Sequence, residues 1–261
     1  MSQSKRQILR EQRRRRRRIQ RAILVSVIVL GAILIGAVLI FTMQSASRAA
    51  RASVKDWPAI ERPMAERNAT GDPNAPIKIV EYSDYQCPYC AQFAKEVEPL
   101  FIEYYVKTGK VYFISRSMGN FTSDNIAAYY HRPAKSESID AAMAAYCAAD
   151  QGKFWEMHDG LFANALGEDV GSFTRLRLTA IAEKAGLDVS QFKDCLNSGK
   201  YRQQAEQDAA DGRAAGVNGT PSFVIYYQVK GEPKTQLIPG LLPFEQFSQA
   251  LDAILAEIAS S

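Results

Sequence analysis

The rhythm of apolar and polar residues changes several times along the chain. Residues 23–43 (ILVSVIVLGAILIGAVLIFTM) hold no charge, and only Ser26 and Thr42, near the ends, carry hydroxyls. At about 1.5 Å per residue, a helix of this length crosses a hydrocarbon core of roughly 30 Å. From residue 44 to residue 75 no apolar period is sustained, and Pro58, Pro63 and Pro73 lead to Pro76. Such a stretch reads as a tether that spaces a domain from a bilayer. A folded pattern starts near Pro76. Residues 77–82 (IKIVEY) form a short β-branched run and are expected to be a strand. Residues 91–107 place Phe93, Val97, Leu100, Phe101 and Tyr104 at three- and four-residue spacing, which predicts a helix that buries this face and ends at Gly109. Residues 111–115 (VYFIS) read as a second strand, so the unit is a right-handed crossover with a parallel pair.

A long helical region follows, with helices expected over 138–149, 153–164, 172–185, 190–196 and 201–215, broken by glycines. Ser172 and Ser190 are the expected N-caps. Residues 120–135 read as a polar surface loop. An apolar, aromatic strand is expected at 222–228 (SFVIYYQ), pairing with 235–238 across a turn at 231–233. An amphipathic helix at 244–259 closes the chain, with Phe247, Leu251, Ile254, Leu255 and Ile258 inward. There is no internal repeat. The order β-α-β, helical block, β-β-α predicts an α/β fold with one mixed sheet, and the block at about 117–215 is laid across it as an inserted helical subdomain. The expected organisation is an arm over 1–22, one N-terminal transmembrane helix over 23–43, a tether over 44–75 and the folded domain over 76–260.

Charge sharpens the N-terminal reading. Residues 1–22 hold ten Lys or Arg against Glu11, which leaves 22 basic and 27 acidic residues in the remainder, a net of −5. The heavier basic flank precedes the apolar run, so the arm is expected in the cytoplasm and everything after Met43 outside it. Contact with anionic lipid explains the Arg13 to Arg18 cluster beside a span, and binding to nucleic acid is not expected. A cleaved signal peptide is the rival, because Ser45, Ala46 and Ser47 are small enough to be cut. Its apolar region would usually run only about 7–15 residues.

Candidate chemistry lies between the first strand and the first helix, at Cys87-Pro88-Tyr89-Cys90. Two cysteines so spaced can close a small reactive disulfide. A sulfur at a helix N-terminus meets unpaired backbone N–H groups and the positive end of the helix dipole, which favour the thiolate that attacks disulfides. Pro88 suits the first helical position, where no N–H is needed. Cys87 is expected at the N-cap, facing out. Cys90 lies one turn deeper and would resolve a mixed disulfide. Of the four cysteines, Cys147 and Cys195 remain; bonded, they close a loop of 49 residues, which the chain-entropy model rates at about 4 kcal/mol. The alternative is two buried free thiols. A metal half-site would need further ligands at close spacing, and His131 and His158 do not supply them, so neither metal nor cofactor is expected. One is read as a loop residue and the other as a residue of an amphipathic helix.

C-P-Y-C after a strand, Thr220-Pro221 before a late strand and a helical insertion between them together resemble the thioredoxin superfamily, and more closely its DsbA-like branch of extracytoplasmic thiol–disulfide oxidoreductases. The stretch 146–155 (YCAADQGKFW), the stretch 212–221 (GRAAGVNGTP) and the pair Pro239-Gly240 are similar to phrases of that branch. The resemblance covers about residues 75–260. It implies a thioredoxin-like fold, a cis bond at Pro221, and substrate-facing positions at Thr220, Pro221, Pro88 and Tyr89. It also implies that Glu81 is the buried acid that helps move a proton to or from Cys90. Reoxidation would come from a membrane quinone-linked partner of the DsbB type or like vitamin K epoxide reductase. Tyr89 departs from strongly oxidising members, which carry a histidine there.

These observations predict a membrane-anchored monomer that forms disulfides in exported proteins. A reductase or isomerase on the same site is the second reading, although residues 44–75 are short for a dimerisation module. A non-catalytic module binding a metal or a membrane partner is the third.

Overall fold

The computed structural model describes residues 3–260 and contains two compact units, one ending at Ala49 and one beginning at Ala50. Helix α1 spans Gln3–Ala52, and its stretch Leu24–Ala52 is long and apolar enough to cross a membrane. Most side chains of the basic arm lie outside the described residues.

The second unit is built on a five-stranded sheet of order β1-β3-β2-β4-β5. Its strands are β1 (Ala69–Thr70), β2 (Ile77–Ser83), β3 (Val111–Ser117), β4 (Ser222–Val229) and β5 (Glu232–Pro239). Strand β2 runs parallel to β3 and antiparallel to β4, so the two halves of the chain share the sheet. Alternation along β2 divides the core. Ile77 and Ile79 face a large cluster with Phe113, Phe223 and Ile225, while Val80 and Tyr82 face a smaller one with Met118, Val217 and Val224.

Helix α2 covers residues 88–106 and is not regular. It is α-helical at Pro88–Gln92 and Glu98–Phe101 and π-helical at Phe93–Val97 and Ile102–Val106. Pro99 has no N–H for the helical ladder and its ring crowds the preceding turn, so the coil widens just before it. Widening rotates the buried face. Phe93, Val97 and Phe101 point inward as expected, whereas Leu100 is 42% exposed and Tyr104 56% exposed. Ile102, Tyr105 and Val106 take their places. Phe93, Phe101, Phe223 and Phe247 interlock over the sheet, with ring centres 4.6–6.0 Å apart among their paired contacts.

The insertion runs through α3 (Phe121–Tyr129), α4 (Glu137–Ala149), α5 (Phe154–Ala163), α6 (Arg175–Lys184), α7 (Val189–Ser198) and α8 (Arg202–Ala214), and α9 (Phe244–Ala259) closes the chain. Helix α4 is buried at nearly every position, which its run of Ala, Met, Ile and Cys allows. Three expectations change here. Residues 120–135 contain α3 rather than only a loop. The N-caps are Thr174, which accepts from Arg177 N, and Asp188, which accepts from Ser190 N and Gln191 N. Ser172 instead donates to the Gly167 carbonyl at 2.7 Å.

Residues 44–75 also differ from a simple spacer. The helix continues to Ala52, Val54 and Arg62 are buried, and β1 pairs antiparallel with β3. Trp57 packs onto Gly160, where a Cβ atom would sit 2.6 Å from its ring. Single apolar anchors, none in period with the next, hold this segment to the body.

Candidate functional site

The site forms where the central strand ends. Asp84 follows β2 and is buried; its Oδ1 accepts from Gln86 N at 2.9 Å and from Ser138 Oγ at 2.9 Å, and its Oδ2 accepts from Thr122 N at 2.9 Å. A short polar side chain that bonds the backbone two residues on makes a tight turn. The turn closes with Cys87 N donating to Asp84 O at 3.0 Å. Gln86 is also buried and reaches Ser123 and Ser138, while Asp169 N donates to its Oε1. The segment before the cysteines is thereby fastened to α3, α4 and the loop before α6.

Cys87 then caps α2 in an extended conformation (φ −69°, ψ 122°), with Pro88 at the start of the helix. Cys87 is less open than expected, the residue being 6% exposed, and Cys90 is fully enclosed beneath it. Pro88 is exposed and Tyr89 is 61% exposed, so the dipeptide between the sulfurs forms the rim. Both cysteines are thiols in this structure. A hydrogen bond from Cys90 lowers the pKa of Cys87 from an ordinary 9.0 to about 7, outweighing the opposing effect of burial; the Thr220 side chain and the N–H groups of Cys90 and Tyr89 act in the same direction. Burial pushes Cys90 far the other way, reinforced by its bond to Cys87 and by the charge of Glu81. One sulfur is thus poised as a thiolate and the other held as a thiol.

Register delivers the other wall. Tyr82 pairs with Ser222 across the β2–β4 ladder, which sets the residues just before β4 beside the end of β2. The Thr220-Pro221 bond is cis, and the Cys87 thiol donates to the Thr220 carbonyl at 3.3 Å. Thr220 is half-buried and Pro221 is buried. Cys147 and Cys195 are far from this chemistry in sequence and are joined as a disulfide, linking α4 to α7.

Glu81 is buried on the β2 face that bears Ile77 and Ile79. Burial first, then the neighbouring Glu98, raises its pKa from 4.5 to about 7, against the effects of His158, Ser83 and Ser115. Several residues around the site had escaped notice in the sequence. The Asp84 turn was legible, because an aspartate two residues before a needed N–H is a turn signal. Arg62, Glu98 and Asp159 form a buried ionic group whose members are 97 residues apart at the extremes, and no local pattern announces them. His158 lies in α5, as the helical reading expected, and is wholly buried. Among the described residues no group of three or more metal-ligating side chains is assembled.

Comparisons with known proteins agree with this arrangement. A family model described as Thioredoxin matches residues 65–252. The chain is 30% identical over 163 residues to the probable disulfide bond formation protein D of Bacillus anthracis, covering 61% of this chain and 69% of that protein. It is also 32% identical over 160 residues to the Na(+)/H(+) antiporter NhaA 1 of Mycobacterium sp. (strain KMS), covering 59% of this chain. There the match spans only 22% of the antiporter's length. Among solved structures, alpha-DsbA1 of Wolbachia pipientis is similar with a TM-score of 0.61 and 22% identity, over 76% of this chain and 96% of that one. The chain belongs to the thioredoxin family. Within it, the likeness to the disulfide bond formation protein, with the helical insertion shared with the alpha-DsbA1 fold, places it with the DsbA-like thiol–disulfide oxidoreductases.

Proposed function

We propose that this protein is a membrane-anchored dithiol oxidase that forms disulfides in exported proteins. The asymmetry of the two sulfurs carries the reading. Stabilising the Cys87 thiolate stabilises the reduced enzyme, and that makes its disulfide a better oxidant. The Bacillus anthracis relative, a probable disulfide bond formation protein, points in the same direction. A substrate thiolate attacks Cys87 Sγ, the Cys87–Cys90 bond breaks, and its electron pair leaves on Cys90 Sγ. A proton from Glu81 neutralises Cys90. A second substrate thiolate then attacks the substrate sulfur of the mixed disulfide, Cys87 leaves as a thiolate, and the substrate departs oxidised by two electrons. Tyr89, Thr220 and Pro221 border the sulfur on which the substrate strand would lie.

The helix Leu24–Ala52 would anchor the enzyme, with the basic arm in the cytoplasm and the catalytic body outside. A quinone-linked membrane protein of the DsbB type, or one like vitamin K epoxide reductase, would return the pair to the disulfide. Cells producing Cys90→Ala should accumulate exported proteins bound to Cys87, seen as reducible high-mass species. No adducts at all would defeat the enzyme reading. Direction is checked by equilibrating the pair with glutathione: a potential as low as that of cytosolic reductants would replace the oxidase with a reductase.

A further inference from the structure

One residue before the reactive thiol, Gln86 is buried at the centre of a polar network that no step of the exchange uses. Its Nε2 donates to Ser123 Oγ on α3 and to Ser138 Oγ on α4, each at 2.8 Å. Ser138 Oγ donates in turn to Asp84 Oδ1 at 2.9 Å, and Ser123 Oγ donates to Asp169 Oδ1 at 2.7 Å. Asp169 N closes the circuit by donating to Gln86 Oε1 at 2.6 Å. Outside the circuit, Asp84 accepts from Gln86 N and Thr122 N at 2.9 Å each, and Arg132 donates to Asp169 Oδ2 at 3.2 Å.

The hydrogens of this network have one arrangement. A backbone N–H can only donate, so Asp169 N fixes the Gln86 carbonyl oxygen, and the amide nitrogen then faces the two hydroxyls. Each serine accepts from Gln86 and gives its single proton to a carboxylate. No member can turn without leaving a buried polar group unpaired, which makes the circuit rigid. Asp169 is also held at φ 55°, in the left-handed region that is uncommon for a residue with a side chain, and its bonds to Gln86, Ser123 and Arg132 maintain it there.

The two walls of the thiol site therefore have separate supports. The Thr220 carbonyl, 3.3 Å from Cys87 Sγ, is placed by the strand that follows it, through the β2–β4 register. Cys87 stands beyond the end of β2, on the turn over residues 84–87, and every side-chain partner of Gln86 belongs to the helical insertion. We propose that Gln86 is a positioning residue through which the helical insertion sets Cys87 at the helix start and against the Thr220 carbonyl. The assignment rests on the oxidase reading and deepens it: the insertion determines how well the reduced sulfur is stabilised, and so how strongly the disulfide oxidises. Gln86 acts through the backbone of the turn and takes no part in bond making.

The test uses the full chain in detergent. Alkylation of reduced Cys87 by iodoacetamide is followed by mass as pH is varied, and the Cys87–Cys90 pair is separately equilibrated with glutathione. Gln86→Met keeps the length of the side chain and removes its amide. Its alkylation inflection should lie about one pH unit above that of the wild type, because the sulfur drifts from the N–H groups that favour its anion. The glutathione equilibrium should move by up to about tenfold toward the disulfide. Ser123→Ala cuts one branch of the circuit and should shift both readouts in the same direction by less. Gly160→Ala, strained against Trp57 and outside this network, should lower thermal stability and leave both readouts unchanged. A folded Gln86→Met protein with the wild-type inflection and equilibrium overturns the proposal. An equal shift in Gly160→Ala also overturns it, because the effect would then be general loosening. Should Gln86→Met not fold, Ser123→Ala decides on the same terms. A wild-type pair that does not exchange with glutathione at all would instead break the oxidase reading itself.

Discussion

The two cysteine pairs sit in different surroundings, one as a pair of thiols and the other as a disulfide. Cys87 and Cys90 stand three apart at a helix start, where Cys87 meets backbone amides, the Thr220 side chain and a thiol that favours its anion. Cys147 and Cys195 are 48 apart and lie within helices rather than at their starts. Cys147 is buried among alanines, and the charged atom beside the Cys195 sulfur is a carboxylate oxygen of Asp150 at 4.0 Å. That carboxylate is itself paired with Lys200 at 2.7 Å, neither sulfur meets the free amides of a helix start, and a disulfide whose leaving sulfur is a poor anion exchanges slowly. Under the proposed oxidase reading, what each setting offers a thiolate, more than the bond itself, separates a reactive pair from a structural one.

The comparison breaks most decisively at Cys87. Cys87→Ala should reduce disulfide exchange on a model peptide to background, while the pair Cys147→Ala/Cys195→Ala keeps exchange and loses at most about 4 kcal/mol of stability, read from denaturant titration. Loss of exchange in a folded Cys147→Ala/Cys195→Ala protein would erase the distinction. A smaller effect concerns pH. The Cys87 pKa is depressed in the folded state, so its contribution to the reduced protein is fully present above the unfolded value of 9.0 and is lost as pH falls through about 7. That contribution is at most about 3 kcal/mol. Thiolate absorbance and alkylation rate should both rise through pH 7, and unfolding of the reduced enzyme should become harder toward pH 9. The smallest effect sharpens the boundary of the reactive region. Gly160→Ala would place a methyl group 2.6 Å from the Trp57 ring and should cost roughly 1–3 kcal/mol in thermal unfolding while leaving the alkylation rate of Cys87 unchanged.

Much of this was legible because it is local. The C-P-Y-C spacing, the helix that follows it and the parallel β2–β3 crossover each arise within about thirty residues of one another, where hydrophobic period and turn chemistry speak directly. The failures have physical causes. Leu100 and Tyr104 fit a regular helical face, but the widened coil around Pro99 turns them outward. Residues 54–70 show no period because Val54, Trp57 and Arg62 each dock alone. The acids around Glu81 come together only through the fold. An isolated Arg62 or Glu98 in a sequence reads as surface, and burial as a cluster depends on partners tens of residues away.

The irregular helix that carries both sulfurs also sets a limit on how the chain can change length. Each π segment accommodates a residue that a regular coil would not need. Removing one residue from a π segment would let that turn relax to a regular coil and keep the register beyond it, whereas removing one from the α-helical stretch Glu98–Phe101 would swing everything beyond the cut by about 100°. Phe101 would then take the exposed place of Leu100, and Ile102 would take the place of Phe101 in the aromatic cluster. Surface connections such as the one around Gly231 can absorb an insertion or a loss, but this helix tolerates a shortening only at its widened turns, and a family member shortened between them would need its interior rewritten.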